Sequence, residues 1–161
     1  SFFAPGMFGN CGYAFPTMIG CKLAAPDRPA IAMVGDGAWG ISFNELLTCA
    51  REKIGVTVCL FNNEQWGAEK KNHVDFYSNR FLGVNLVNPS FAEIARSFGC
   101  EGVRVDKLED VGPALRASVQ AQAEGKTTVI ELMCTKELGD PFRRDALQMP
   151  KRTLAKYKSF E

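Results

Sequence analysis

Gly35-Asp36-Gly37-Ala38-Trp39-Gly40 places a carboxylate among glycines. Glycines permit a tight turn and let backbone N–H groups approach an oxygen-rich anion, so the loop suits a phosphate-bearing ligand. It formally matches G-x-G-x-x-G, a pattern shared with dinucleotide sites. A dinucleotide site expects an acid about 20 residues further on for the ribose hydroxyls. Residues 53–57 contain none, and the next apolar run ends in Asn62-Asn63. Asp36 would also stand beside the phosphates it should help to bind, and two anions at short range repel unless positive charge lies between them. A divalent cation removes that conflict. Magnesium prefers near-octahedral oxygen coordination and is commonly shared between one or two protein groups, phosphate oxygens and water. The Asp36 carboxylate and the Asn63 amide oxygen are suitable ligands.

For these groups to meet, two turns must lie side by side at one edge of a scaffold, as the carboxyl ends of neighbouring parallel strands do. Ala30-Ile31-Ala32-Met33-Val34, residues 56–61, residues 102–105 and Thr128–Met133 are short apolar runs bounded by turn signals and are predicted to be buried parallel strands. Phe43, Leu46, Leu47 and Ala50 recur at helical spacing, and Ser42-x-x-Glu45 predicts a capping box at that helix's start. Phe91, Ile94, Ala95 and Phe98 predict a helix ended by Gly99; Val111, Leu115 and Val119 predict another ended by Gly125. Pro16 suits the first turn of an earlier helix reaching about Ala25. Residues 64–86 are polar with weak periodicity and are expected to form a long functional loop with partial structure rather than a core element. The fold class expected is α/β, a parallel sheet flanked by helices, with residues 1–134 as the domain and a basic tail, 135–161, packed on it.

The chain has 161 residues, enough for one domain, and 46% hydrophobic with 23% charged residues is an ordinary globular composition. A net charge of +1 gives no broad field for nucleic acid or an anionic membrane, so any anion must be held locally. No apolar run approaches the roughly 18–20 residues of a membrane helix. The opening Ser1-Phe2-Phe3-Ala4-Pro5-Gly6 lacks both a secretory pattern and an initiator Met, so a fragment or processed chain is expected. Cysteines 11, 21, 49, 59, 100 and 134 form no Cys-x-x-Cys pair, which fits a reducing cytoplasm; Cys59 and Cys134 are expected to be small core side chains.

Gly35-Asp36-Gly37, twenty-four intervening residues and Asn62-Asn63 resemble the signature of the thiamine-diphosphate enzymes. The resemblance implies a diphosphate-binding domain in which Asp36 and Asn63 bind Mg²⁺ through side chains and Gln65 through its backbone carbonyl. Gly35, Gly37 and Ala38 belong to the loop at the diphosphate. Gly9-Asn10-Cys11-Gly12-Tyr13-Ala14-Phe15-Pro16 resembles the segment that holds the aminopyrimidine in decarboxylase and acetolactate-synthase relatives. Gly9 would offer its carbonyl to the ring, and Cys11 would replace the larger apolar wedge usual there.

Gln65-Trp66-Gly67-Ala68-Glu69-Lys70-Lys71-Asn72, Val74-Asp75-Phe76-Tyr77 and the tail from Glu137 through Arg143-Arg144 to Leu147 resemble the sulfoacetaldehyde acetyltransferase branch. That branch implies conversion of sulfoacetaldehyde and phosphate to acetyl phosphate and sulfite, in the degradation of taurine and related sulfonates. Thiamine diphosphate carries the hard chemistry. Both substrates present tetrahedral anions, for which Lys70, Lys71, Arg143 and Arg144 are candidate donors. His73 could relay a proton near neutral pH or be incidental. The resemblance further implies that a glutamate on a separate pyrimidine-binding domain, normally of a second subunit, activates the cofactor, so a homo-oligomer is expected and this chain alone would be incomplete. An acetolactate-synthase-like or sulfopyruvate-decarboxylase-like enzyme, a nucleotide-binding oxidoreductase and a non-catalytic domain stay open as alternatives.

Overall fold

A computed structural model describes residues 1–6 and 9–139. Its elements alternate along the chain: α1 (Ala14–Ala24), β1 (Ile31–Gly35), α2 (Asp36–Ser42), α3 (Leu46–Glu52), β2 (Thr57–Asn62), α4 (Gly67–Phe76), α5 (Phe91–Ser97), β3 (Glu101–Val105), α6 (Leu108–Ala121) and β4 (Thr128–Met133). The four strands form one parallel sheet in the order β1-β2-β4-β3. Parallel strands need crossovers, and the helices supply them on both faces, as expected for α/β.

Period-two alternation sorts the strand side chains between those faces. Ala32, Val34, Val58, Leu60 and Val129 join Phe15, Trp39, Leu46, Phe91 and Ala95 in the larger core. On the other face Val105, Ile130 and Leu132 are covered by Val111, Ala114 and Leu115 of α6. The layers approach closely at Gly102, where a Cβ would stand 1.9 Å from the Ala92 carbonyl oxygen of α5. At the amino ends of the strands, the Gln122 amide clamps Ala30, its oxygen accepting from Ala30 N and its nitrogen donating to Ala30 O, and Thr127 Oγ1 accepts from Val56 N and donates to Ile54 O. These buried polar groups satisfy loop backbone that the ladder leaves unpaired.

Two local expectations are corrected, and the partial structure expected in residues 64–86 is a helix. The helix after β1 begins at Asp36, directly after the strand, so Ser42 is the last residue of α2 and its side chain makes no cap; its buried hydroxyl has no partner among the described residues, and Glu45 instead accepts from Thr48 Oγ1. Residues 64–86 contain a helix, α4, which buries none of its own residues fully and therefore carries little apolar periodicity. Cys134 lies one residue beyond β4 and is exposed, whereas Cys59 is partly buried against the smaller cluster. Glycines stop the α5 and α6 segments as expected, with φ +82° at Gly99 and +72° at Gly125.

Candidate active site at the carboxyl ends of β1 and β2

Adjacent parallel strands bring the two chemical turns together. Gly35 pairs with Phe61, so Asp36 and Asn62 follow at neighbouring strand ends. Asp36 is only 3% exposed. Its Oδ1 accepts from Gly37 N at 3.0 Å and its Oδ2 from Asn88 Nδ2 at 2.7 Å. The same Asn88 nitrogen donates to Asn62 Oδ1 at 3.0 Å. Among the described residues Asp36 has no ion-pair partner, so this nearly buried carboxylate is met only by neutral donors.

Asn62 is itself 3% exposed and points into the sheet rather than outward. Its Nδ2 donates to Glu131 Oε1 at 2.8 Å, and its Oδ1 also accepts from Glu64 N at 3.2 Å, bending the chain sharply out of β2. Glu64 takes φ +53° in this turn. Asn63, next along, is half-buried, and its side chain makes no hydrogen bond to another described residue. A methyl group at Gly67 would lie 3.4 Å from Asn63 Nδ2.

The turn is braced by an isolated bridge between Gln65 and Asn85. Its hydrogen bonds run from Trp66 N to Val84 O and from Leu86 N to Glu64 O, which leaves the Gln65 carbonyl oxygen out of the pairing. The Gln65 side chain is 2% exposed; its amide donates to Lys136 O and its oxygen accepts from Lys70 Nζ. Trp66 lies over Gly37, where a Cβ would stand 2.6 Å from the indole. Only glycine lets the first turn approach the second this closely.

Asp36, Gly37, Asn63 and Gln65 thus gather around two facing turns. Lys70 joins them from α4: its ammonium donates to Gln65 Oε1 and Asn85 Oδ1, both at 2.9 Å, and lies 5.6 Å from the Phe81 ring centre. Lys71 is paired with Asp75 one turn along α4. His73 meets Tyr77 edge-on and lies tilted against Phe81, and its buried Nδ1 has no hydrogen-bond partner among the described residues. Gly9 and Cys11 are exposed in the turn before α1, which meets α2 through Gly12 and Ile41. Arg143 and Arg144 lie outside the described residues.

Partial burial of the thiol, followed by the nearby Asp36 charge, pushes Cys134 upward. Asn88 and Glu131 were not singled out by motif. Glu131 left a signal in the sequence, as the lone charge in the apolar run Thr128–Met133. A charge inside a buried strand must be hydrogen-bonded or paired.

The oxygens at hand belong to a carboxylate, an amide and a backbone carbonyl. No group of three or more His, Cys, Asp or Glu able to hold a metal occurs among the described residues. Such an all-oxygen set suits a hard divalent cation better than a soft metal. Among the described residues, the Asp36 carboxylate without a cationic partner, the unengaged Asn63 amide and the unpaired Gln65 carbonyl fit a cation-bridged diphosphate.

Residues 1–132 match the family described as "Thiamine pyrophosphate enzyme, C-terminal TPP binding domain". The chain is 62% identical over 161 residues to the sulfoacetaldehyde acetyltransferase of Castellaniella defragrans, covering 99% of this chain and 27% of that protein. It is 33% identical over 120 residues to a probable acetolactate synthase large subunit of Methanococcus aeolicus, covering 74% of this chain and 20% of that one. In three dimensions it resembles the thiamine diphosphate-dependent 4-hydroxybenzoylformate decarboxylase of Rhodococcus jostii RHA1, with TM-score 0.74 and 26% identity over 82% of this chain and 24% of that one. The chain therefore spans about a quarter of the length of these relatives. It belongs to the family of thiamine pyrophosphate enzyme C-terminal TPP-binding domains.

Proposed function

We propose that this chain is the diphosphate-binding part of an acyltransferase that converts sulfoacetaldehyde and phosphate to acetyl phosphate and sulfite, in the cytoplasmic breakdown of taurine and related sulfonates. The observation that carries this reading is the 62% identity extending over 99% of the chain, including the α4 segment beyond the shared cofactor motif. Atoms and electrons balance within the substrate pair. The aldehyde carbon rises to the acyl level while its neighbour loses sulfite and becomes a methyl group, so no external oxidant is needed.

Thiamine diphosphate, when bound, supplies the carbanion chemistry that opens the aldehyde to this exchange. Asp36 and Asn63 would hold Mg²⁺ by side-chain oxygens and Gln65 by its carbonyl, with the Gly35-Asp36-Gly37-Ala38 turn against the diphosphate. Gly9 and Cys11 would face the remaining rings. Lys70 retains one ammonium proton not committed to Gln65 or Asn85, and it is the described basic residue best situated to meet a sulfonate or phosphate. Lys71, Arg143 and Arg144 are further donors under this reading. The pyrimidine-binding domain of the longer enzyme, from a second subunit, would complete the site.

The test is to supply the full-length enzyme with Mg²⁺, thiamine diphosphate, sulfoacetaldehyde and phosphate, and to quantify sulfite and acetyl phosphate. Equimolar formation of both supports the assignment. Acetolactate from pyruvate, with neither of those products, would move the protein to the acetolactate-synthase branch.

A further inference from the structure

We propose that Glu131 is a positioning residue that fixes the cation-binding turns through a one-way hydrogen-bond relay, Glu131 to Asn62 to Asn88 to Asp36. The inference rests on the cation-diphosphate reading above. Glu131 is fully buried at mid-sheet in β4, in register with Leu60 of β2, and period two puts Asn62 on the same face one step nearer the site. Its partners all approach as donors: Asn62 Nδ2 to Oε1 at 2.8 Å, and Ser90 Oγ at 3.2 Å and Ala92 N at 3.0 Å to Oε2.

A carboxylate accepts at both oxygens, whereas an amide accepts at one end and donates at the other. That difference sets the direction of the relay. With two acceptor oxygens at position 131, Asn62 must turn Nδ2 toward β4 and Oδ1 toward Glu64 N and Asn88. Asn88 must then present Nδ2, which reaches Asp36 Oδ2 as well as Asn62 Oδ1. The far end is acceptor-only, as Asp36 is a carboxylate, and the near end is donor-only at Ala92 N. Only one ordering of the two intervening amides satisfies both ends. Glu131 thereby orients Asp36 from two residues away, and through Asn62 it also sets the exit angle of the Asn63-Glu64-Gln65 turn.

Glu131→Gln preserves shape and turns one of the two acceptors into a donor. Ala92 N cannot turn, so the new amide oxygen must face it and the new nitrogen must oppose Asn62 Nδ2. Asn62 then has to flip, which sets its own nitrogen against Glu64 N and Asn88 Nδ2. Adding Asn62→Asp restores acceptors at both contacts and returns the net charge to that of the wild type. Groups that orient metal ligands commonly contribute roughly 10–100-fold to metal affinity.

The experiment titrates Mg²⁺ with thiamine diphosphate into full-length wild type, Glu131→Gln and Glu131→Gln/Asn62→Asp by calorimetry, with circular-dichroism melts of the cofactor-free proteins alongside. The relay predicts a loss of about tenfold or more in Glu131→Gln and recovery of most of it in the double variant. Unchanged affinity in Glu131→Gln overturns the relay, as does a double variant that folds but binds no better than the single one. If Glu131→Gln does not fold, the double variant alone decides: near-wild-type affinity supports the relay and weak binding by a folded protein rejects it. A double variant that also fails to fold rejects restoration of the hydrogen-bond order. Wild type that binds neither ion nor coenzyme overturns the underlying functional reading as well, which separates that failure from a failure of the relay alone.

Discussion

Asn88 donates to Asp36 Oδ2 at 2.7 Å from the segment leading into α5, 52 residues away in sequence. The contact ties the Asp36 rotamer to a loop that no cofactor motif includes. Asn88→Ala should lower Mg²⁺ affinity in the presence of thiamine diphosphate by about tenfold. Calorimetric titration of the full-length enzyme checks this, and melting in the absence of ligand should change far less than the affinity does.

Asp36→Ala removes the buried carboxylate itself. Wild-type enzyme given Mg²⁺ and thiamine diphosphate at about 100 times the dissociation constant should gain about 2.7 kcal/mol of stability. Chelation with EDTA should reverse the gain, and Asp36→Ala should show none of it. Differential scanning calorimetry with and without chelator measures all three.

Gly37→Ala sets a methyl group 2.6 Å from the Trp66 indole, and overpacking of this kind costs about 1–3 kcal/mol. The variant should unfold at lower denaturant and alter tryptophan emission. Combining it with Trp66→Ala should remove most of the penalty, giving a clear non-additivity in a denaturation cycle.

Cys100 is pushed up to about 11, by burial first and then by neighbouring Cys49, from an ordinary value of 9.0. A thiol raised on folding favours the native state below its unfolded value, and that contribution is lost as pH rises through the folded one. Stability should therefore fall between about pH 9 and 11, and less steeply in Cys100→Ala. Thermal melts of the two proteins at pH 8 and 10.5 would show it. Iodoacetamide at pH 8 should modify exposed Cys11 well ahead of Cys100, as peptide mass mapping can read.

The sheet was legible because its strands are mostly apolar and punctuated by glycine and asparagine turns, although the expectation that all four are buried holds mainly for β2 and β4: Ile31 and Met33 of β1 and Val103 of β3 are exposed. Asp36 could be read as a cation ligand because a carboxylate inside a phosphate-type loop is electrostatically inconsistent without one. α4 was not legible: Lys71 and Asp75 pair across one turn, but no face of the helix is fully buried, so there is no stripe to find. Ser42 and Glu45 have the residue types of a cap, yet the chain turns helical at Asp36 as soon as β1 ends, so Ser42 is buried at the end of α2 and Glu45 accepts from Thr48 and Asn44 instead. The roles of Asn88 and Glu131 depend on contacts spanning up to 69 positions, which local pattern cannot encode.

The stretch leaving β4 is stitched to the opposite turn, with Gln65 Nε2 on the Lys136 carbonyl and the Lys136 ammonium on Glu64. Strand exit and ligand turn are thus tied twice, and a substitution at position 136 would release Glu64 while keeping the backbone tie to Gln65. Exchanging this stretch between homologues would transplant part of the turn's posture along with it.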